Sequence, residues 1–149
     1  MLRGVMYRIS RALPADAYNL FLTLREVDET ELRALGHTDM YQVIRDSVSN
    51  GINYSLYWNN DIIMIYGCND GVIWMLASDY LYKHKKKFWS TCKNYVKGMK
   101  KKHSVLYNMI DYNNNVTKNW LKKLGFTLGE TFEYNNHPFQ LFFWRKVDV

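Results

Sequence analysis

Proline, cysteine and local acidic charge are the scarce features of this sequence. Only Pro14 and Pro138 are prolines, so no Pro-rich linker divides its 149 residues. Cys68 and Cys92 form no CxxC pair and no metal pattern. They read as buried free thiols of a reducing compartment. His37, His84, His103 and His137 have no metal-ligand spacing and read as surface or turn residues. No segment reaches the roughly 18 consecutive apolar residues of a membrane span. Met1 to Arg8 shows neither a long apolar stretch nor a small-residue cleavage site, which argues against a signal peptide. No Ser-His-Asp or Walker-type pattern is present.

Acidic residues are missing altogether between Asp79 and Asp111. Nine lysines fill that window: Lys83, Lys85, Lys86, Lys87, Lys93, Lys97, Lys100, Lys101 and Lys102. With an overall charge of +6, such a basic patch attracts phosphate-bearing partners. Being rich in Lys and poor in Arg, it suits sequence-independent phosphate contact better than base reading. Tyr80, Tyr82, Phe88, Trp89 and Tyr95 interleave with the lysines, so nucleic acid is one candidate partner of this helix. A solvated helix face whose rings pack inward is the other reading.

What is abundant is apolar and aromatic. A hydrophobic content of 48% argues against disorder, and aromatics at 16% suit sheet faces and interfaces. The length predicts one domain over residues 1–149. Tyr7-Arg8-Ile9 reads as a first strand. Pro14 opens a helix with the apolar stripe Tyr18, Leu20, Phe21, Leu24 and Val27. Asp28 to Leu35 predicts a second turn or helix stopped by Gly36. Thr38 can cap a third, carrying Met40, Val43, Ile44 and Val48.

Three strand-like runs follow, at 52–58, 62–67 and 72–76. Asn69-Asp70-Gly71 is a strong hairpin signal between the last two. Ser78 or Asp79 caps a predicted long helix reaching about Lys101. A buried-type strand follows at 105–110, then an Asn-rich loop and a short helix from Thr117 to Leu124. Final strands are expected at 126–134 and 139–147. The order predicts an α/β (α+β) domain: a mixed central sheet of about six or seven strands flanked by helices.

That order resembles the GNAT acetyltransferase-like fold. The run from Asn114 to Phe126, opened by Asn114-Asn115 and closed by Leu124-Gly125-Phe126, resembles the family's strand-loop-helix signature. Over roughly 67–146, Gly67-Cys68-Asn69-Asp70-Gly71, Trp74, Ala77-Ser78-Asp79, the Lys-rich helix and Phe139-Gln140-Leu141-Phe142 resemble the small internal virion proteins of short-tailed bacteriophages, a GNAT-like group. This second resemblance implies a part in forming an infectious particle. Its places of action would be the host cytoplasm during infection and the virion interior, and its partners other phage virion proteins or host proteins.

The GNAT resemblance also implies what catalysis would require. A Gly-rich loop after the fourth strand usually cradles the donor's pyrophosphate with backbone N–H groups. The matching stretch, Ser78 to Lys87, contains no glycine, and Asp79 would repel an anion. If acetyl-CoA binds, Lys83, Lys85, Lys86 and Lys87 would replace backbone donors with point charges, beside Ser78 and Asn114. Many members place a Tyr acid four residues before the terminal Gly; here that position is Leu121. Tyr107 and Tyr112 are the candidate substitutes. Asp111 is a weak candidate for the base, as are Asp70 and Asp79, although turn or cap formation suits all three. The first expectation is therefore a catalytically degenerate GNAT-like virion protein with no certain cofactor. The alternatives are an acetyl-CoA-dependent N-acetyltransferase with a lysine-rich donor site, and a nucleic-acid-binding accessory protein.

Overall fold

A computed structural model describes residues 6–147. The chain runs β1 (Tyr7–Arg11), α1 (Pro14–Thr23), α2 (Glu26–Ala34), α3 (Met40–Ser49), β2 (Asn53–Trp58), β3 (Asp61–Asn69) and β4 (Val72–Ala77). A 3-10 turn at Asp79–Lys83 leads to α4 (Lys85–Lys102), β5 (Val105–Asp111), α5 (Asn115–Lys123), β6 (Thr127–Tyr134) and β7 (His137–Arg145). The strands form one seven-stranded sheet in the order β1-β2-β3-β4-β5-β7-β6. All neighbours are antiparallel except β4 and β5. The mixed sheet with flanking helices expected from the sequence is the architecture found.

Helices α1–α3 cover one face, where Leu20, Leu32 and Ile44 meet Tyr57, Ile62 and Leu76. Helices α4 and α5 cover the other, where Phe88 packs on Leu56 and Met64, and Leu121 on Leu106 and Phe142. The unbroken apolar run of β3 is explained by a bulge. Tyr57 pairs with Ile62 but Leu56 with Met64, so Ile63 is an extra residue and the alternation reverses there. Apolar side chains are then needed on both faces, and Ile62 to Ile65 are all buried to within 2%.

Several boundaries differ from the sequence reading. Asp39, not Thr38, caps α3, accepting from Gln42 N at 3.1 Å. Leu24 ends α1, and Val27 belongs to α2. The single helix expected from Ser78 is broken at His84, whose φ of −130° and ψ of 38° are not helical. Two tertiary contacts hold that break: Leu81 is fully buried, and Tyr7 OH lies 2.8 Å from His84 Nδ1. The expectation at Met1–Val5 lies outside the described residues, as do Asp148 and Val149.

Candidate functional site

The sheet opens between β4 and β5. Their recorded pairing is the single parallel bridge Val72↔Tyr107, with Tyr107 N donating to Gly71 O at 2.8 Å. Gly71 permits this junction: its φ is +87°, and a Cβ there would stand 2.6 Å from Val105 O. Beyond the bridge the strands diverge around a cavity of about 250 Å³.

Backbone groups of Ile73, Met75 and Ala77 turn away from β3, because alternate residues of an antiparallel strand face opposite edges. Ile73 O accepts from Asn108 Nδ2 at 2.9 Å. Ala77 is also engaged: its N donates to Asp28 Oδ2 at 2.8 Å, and its O accepts from Arg25 N at 2.9 Å. Met75, between them, lines the cavity without a recorded strand partner on that side. Thr117 lines it too, and its buried hydroxyl has no hydrogen-bond partner among the described residues.

Helix α2 closes one wall. Arg25, Asp28 and Glu31 recur at i, i+3 and i+6, so they share a face with Leu32 and Leu35 and all line the cavity. Arg25 is 1% exposed and grips Asp28 through Nε and Nη2, both at 3.0 Å. Burial works against its charge, and Asp28 more than offsets this, holding the guanidinium above its ordinary range. Burial likewise pushes the Asp28 carboxyl up, against the pull of Arg25 and the Ala77 N–H.

Glu31 accepts from Asp111 N at 2.6 Å. Burial raises its carboxyl to about 7; the Asp111 N–H pulls it down, and the charges of Asp28 and Asp111 push it further up. A carboxyl at that value can take a proton near neutrality. Sequence reasoning missed Arg25, Asp28, Glu31, Met75 and Thr117. The one available signal was the i, i+3, i+6 spacing of charges on a helix that also carries core leucines.

The residues expected from the sequence are scattered. Ser78 is fully buried, with its Oγ donating to Ile62 O and accepting from Tyr80 N, so it is committed to the turn. Lys83, Lys85 and Lys86 are exposed around the start of α4, and Lys87 Nζ lies 5.5 Å from the Tyr7 ring. Asn114 caps α5, accepting from Thr117 N at 3.2 Å, and lines the cavity. Tyr107 and Tyr112 are 41% and 44% exposed and lie outside the cavity lining, with Tyr112 under Lys118 at 4.0 Å. Asp111 is buried behind Glu31, where Oδ1 accepts from Asn113 N at 2.9 Å. His137 Nε2 also approaches that oxygen at 2.9 Å, without hydrogen-bond alignment. Asp70 sits at the hairpin turn with φ 50°, and Asp79 is exposed. No group of three or more metal-binding side chains occurs among the described residues, and no described helix is long and apolar enough to cross a membrane.

No protein-family model matches this sequence, and no curated protein matches it. Solved structures do match. The ribosomal-protein-S18-alanine N-acetyltransferase of Escherichia coli is 14% identical, over 94% of each chain, with a TM-score of 0.65. Ard1 of Thermoplasma volcanium is 10% identical, over 97% of this chain and 100% of its own, with a TM-score of 0.71. A GNAT-family acetyltransferase of Streptococcus pneumoniae is 13% identical, over 94% and 99%, with a TM-score of 0.61. At such identities the likeness is one of fold, and the fold of this chain is the GNAT fold.

Proposed function

We propose that this protein is an N-acyltransferase on the GNAT scaffold, with transfer in the β4–β5 cavity and lysines meeting the phosphates of an acyl-CoA donor. The observation that carries the reading is a cavity lined by both the Met75 stretch of β4, which has no strand partner on that side, and Thr117, whose hydroxyl is unpartnered among the described residues. Buried polar groups are normally paired, so an unpaired one in a cavity calls for a partner. That acetyltransferases share this fold supports the reading.

The two ends of such a donor fit unequally. The cavity suits the acyl end, with apolar walls and few polar groups. At the phosphate end the glycine loop is absent, but α4 begins with Lys85, Lys86 and Lys87 and no side-chain cap. Positive charge there opposes the helix dipole, and an anion would relieve it. Bound acyl-CoA would supply an acyl group already activated as a thioester. Met75 N–H would then donate to the acyl oxygen, the role of an oxyanion donor. Glu31 would accept the proton of the incoming amine through Oε2, since Oε1 is held by Asp111 N. Thr117 would offer its hydroxyl to the departing sulfur, one helical turn from Leu121, where a tyrosine acid is lacking.

Calorimetric titration with acetyl-CoA, and with CoA alongside, tests this. The expected result is saturable one-to-one binding that is lost when Lys83, Lys85, Lys86 and Lys87 are all replaced by Ala. Absence of binding at millimolar donor would overturn it. A second reading would then stand: a catalytically degenerate scaffold acting in phage particle assembly, inside the infected host or the virion. The engaged Ala77 edge and Leu121 in the acid position favour its loss of catalysis, while the phage role rests on the sequence resemblance alone. Its check is co-sedimentation with virion proteins.

A further inference from the structure

A second concavity lies on the α4 face and shares Tyr66 and Tyr95 with the β4–β5 cavity. Its floor is Tyr54 and the buried Tyr66, paired across β2 and β3, and Arg11 stands opposite Tyr54 on β1, outside the lining. Ile9, on the same face of the edge strand and 47% exposed, extends that floor. Tyr95 descends from α4 onto it, with ring centroids 4.8 Å from Tyr66 and 6.2 Å from Tyr54. The wall is the side of α4 that carries Lys87, Asn94 and Gly98, and the groove measures about 340 Å³.

Two features of this groove have no internal explanation. Gly98 stands inside an 18-residue helix, where glycine is the poorest former after proline, yet a Cβ there would meet nothing within 4 Å. Nothing within the described residues requires a glycine at this place; a partner lying close against the helix backbone would. The groove is also free of acidic side chains: β1, β2 and α4 contain none. Along the same side of α4, Lys87 and Lys101 bracket Gly98, and 14 residues of helix span about 21 Å.

We infer that this groove binds single-stranded nucleic acid, its bases against the half-buried Tyr54 and Tyr95 and its phosphates along Lys87 and, beyond the lining, Arg11 and Lys101. Aromatic rings flanked by cations in an acid-free channel recognise a flexible strand of flat bases, whatever their sequence. A duplex keeps its bases stacked inside and cannot offer them to the floor. The inference does not require acyl transfer, because Tyr54 and Gly98 do not line the β4–β5 cavity, although Tyr66 and Tyr95 line both spaces.

The test is fluorescence anisotropy with labelled oligothymidylate and oligouridylate of about ten nucleotides. Saturable binding of both is expected, with log affinity falling linearly against log salt at about −0.7 per phosphate contact. Gly98→Glu, which places a carboxylate in open space, should weaken binding by about tenfold or more, and Gly98→Ala by a smaller factor, because its Cβ enters the space of a strand lying against the helix backbone. Tyr54→Leu should lose about fivefold or more at an unchanged salt slope, and Arg11→Ala should lower the slope. Circular dichroism melts confirm that each variant folds. Acetyl-CoA titration of Gly98→Glu should match wild type, which separates the two sites. Three results would each overturn the inference: no binding at low salt, equal affinity for a matched duplex, or indifference to both Gly98→Glu and Tyr54→Leu. Full displacement of the oligonucleotide by acetyl-CoA would also overturn it, by making the groove part of a donor site.

Discussion

Glu31 shows how one side chain can oppose its own burial. Its carboxyl moves from 4.5 to about 7, so the folded state binds a proton that the unfolded chain has released. Stability therefore falls as pH rises through that window and is lowest above it. Glu31→Gln keeps an acceptor for Asp111 N and removes the charge. Denaturant melts should show it close to wild type below about pH 4.5 and more stable, on the order of 2 kcal/mol, above about pH 7. Under the proposed function the same variant should lose transfer while retaining donor binding. Gly67 makes the opposite kind of demand. A Cβ there would fall 2.0 Å from Asn53 Oδ1, and Asn53 Nδ2 donates to Ser47 O at 2.8 Å and Val48 O at 3.1 Å at the end of α3. Gly67→Ala should cost about 1–3 kcal/mol by overpacking, read as a lower urea midpoint.

Helix α2 is tied to the sheet by charge, as α1 is through Asp16, which accepts from Tyr57 OH at 2.6 Å. The junction before α2 is fastened beside the end of β4 by the bridge Leu24↔Ser78, and both backbone groups of Ala77 bond to Arg25 and Asp28. Arg25→Ala would leave Asp28 buried and unpaired, a loss of about 3–5 kcal/mol. Arg25→Lys should recover little of it, because an ammonium cannot reproduce the two-pronged grip at 3.0 Å. Thermal melts of the pair check this; full recovery by Lys would show that charge alone suffices. The same contacts decide how much of the β4 edge any ligand can reach, so α2 is both a wall of the cavity and a limit on it.

At the scale of the molecule, the sheet is two blocks, β1–β4 and β5–β7–β6, joined by one recorded bridge. The division sets amide protection. Trp74 and Leu76 turn their backbone toward β3, whereas Met75 faces the cavity. Hydrogen exchange should find Met75 the fastest of the three in the free protein and slowed when an acyl donor is bound. Equal protection of all three without ligand would mean that the blocks close on each other.

Local order was written into the chain at residue level. Asn69-Asp70-Gly71 makes its hairpin, Pro14 opens α1, Asn114 caps α5, and Gly125 ends it in the left-handed region with φ +97°. Each depends on backbone preference over a few neighbours, so the element order and the mixed sheet were legible from sequence. The cavity was not, because it depends on where β4 and β5 part and on which side chains α2 brings there from some fifty residues upstream. Asp28 and Glu31 look in sequence like a solvated acidic run; only packing buries them against Ala77 and Asp111. The break at His84 is equally tertiary, since Tyr7 and the buried Leu81 override the propensity for one continuous helix. Local sterics and composition set the order of strands and helices and the basic charge of α4. Tertiary structure alone decided which charges lost their water and which backbone groups were left without partners, because both depend on contacts between residues distant in the chain.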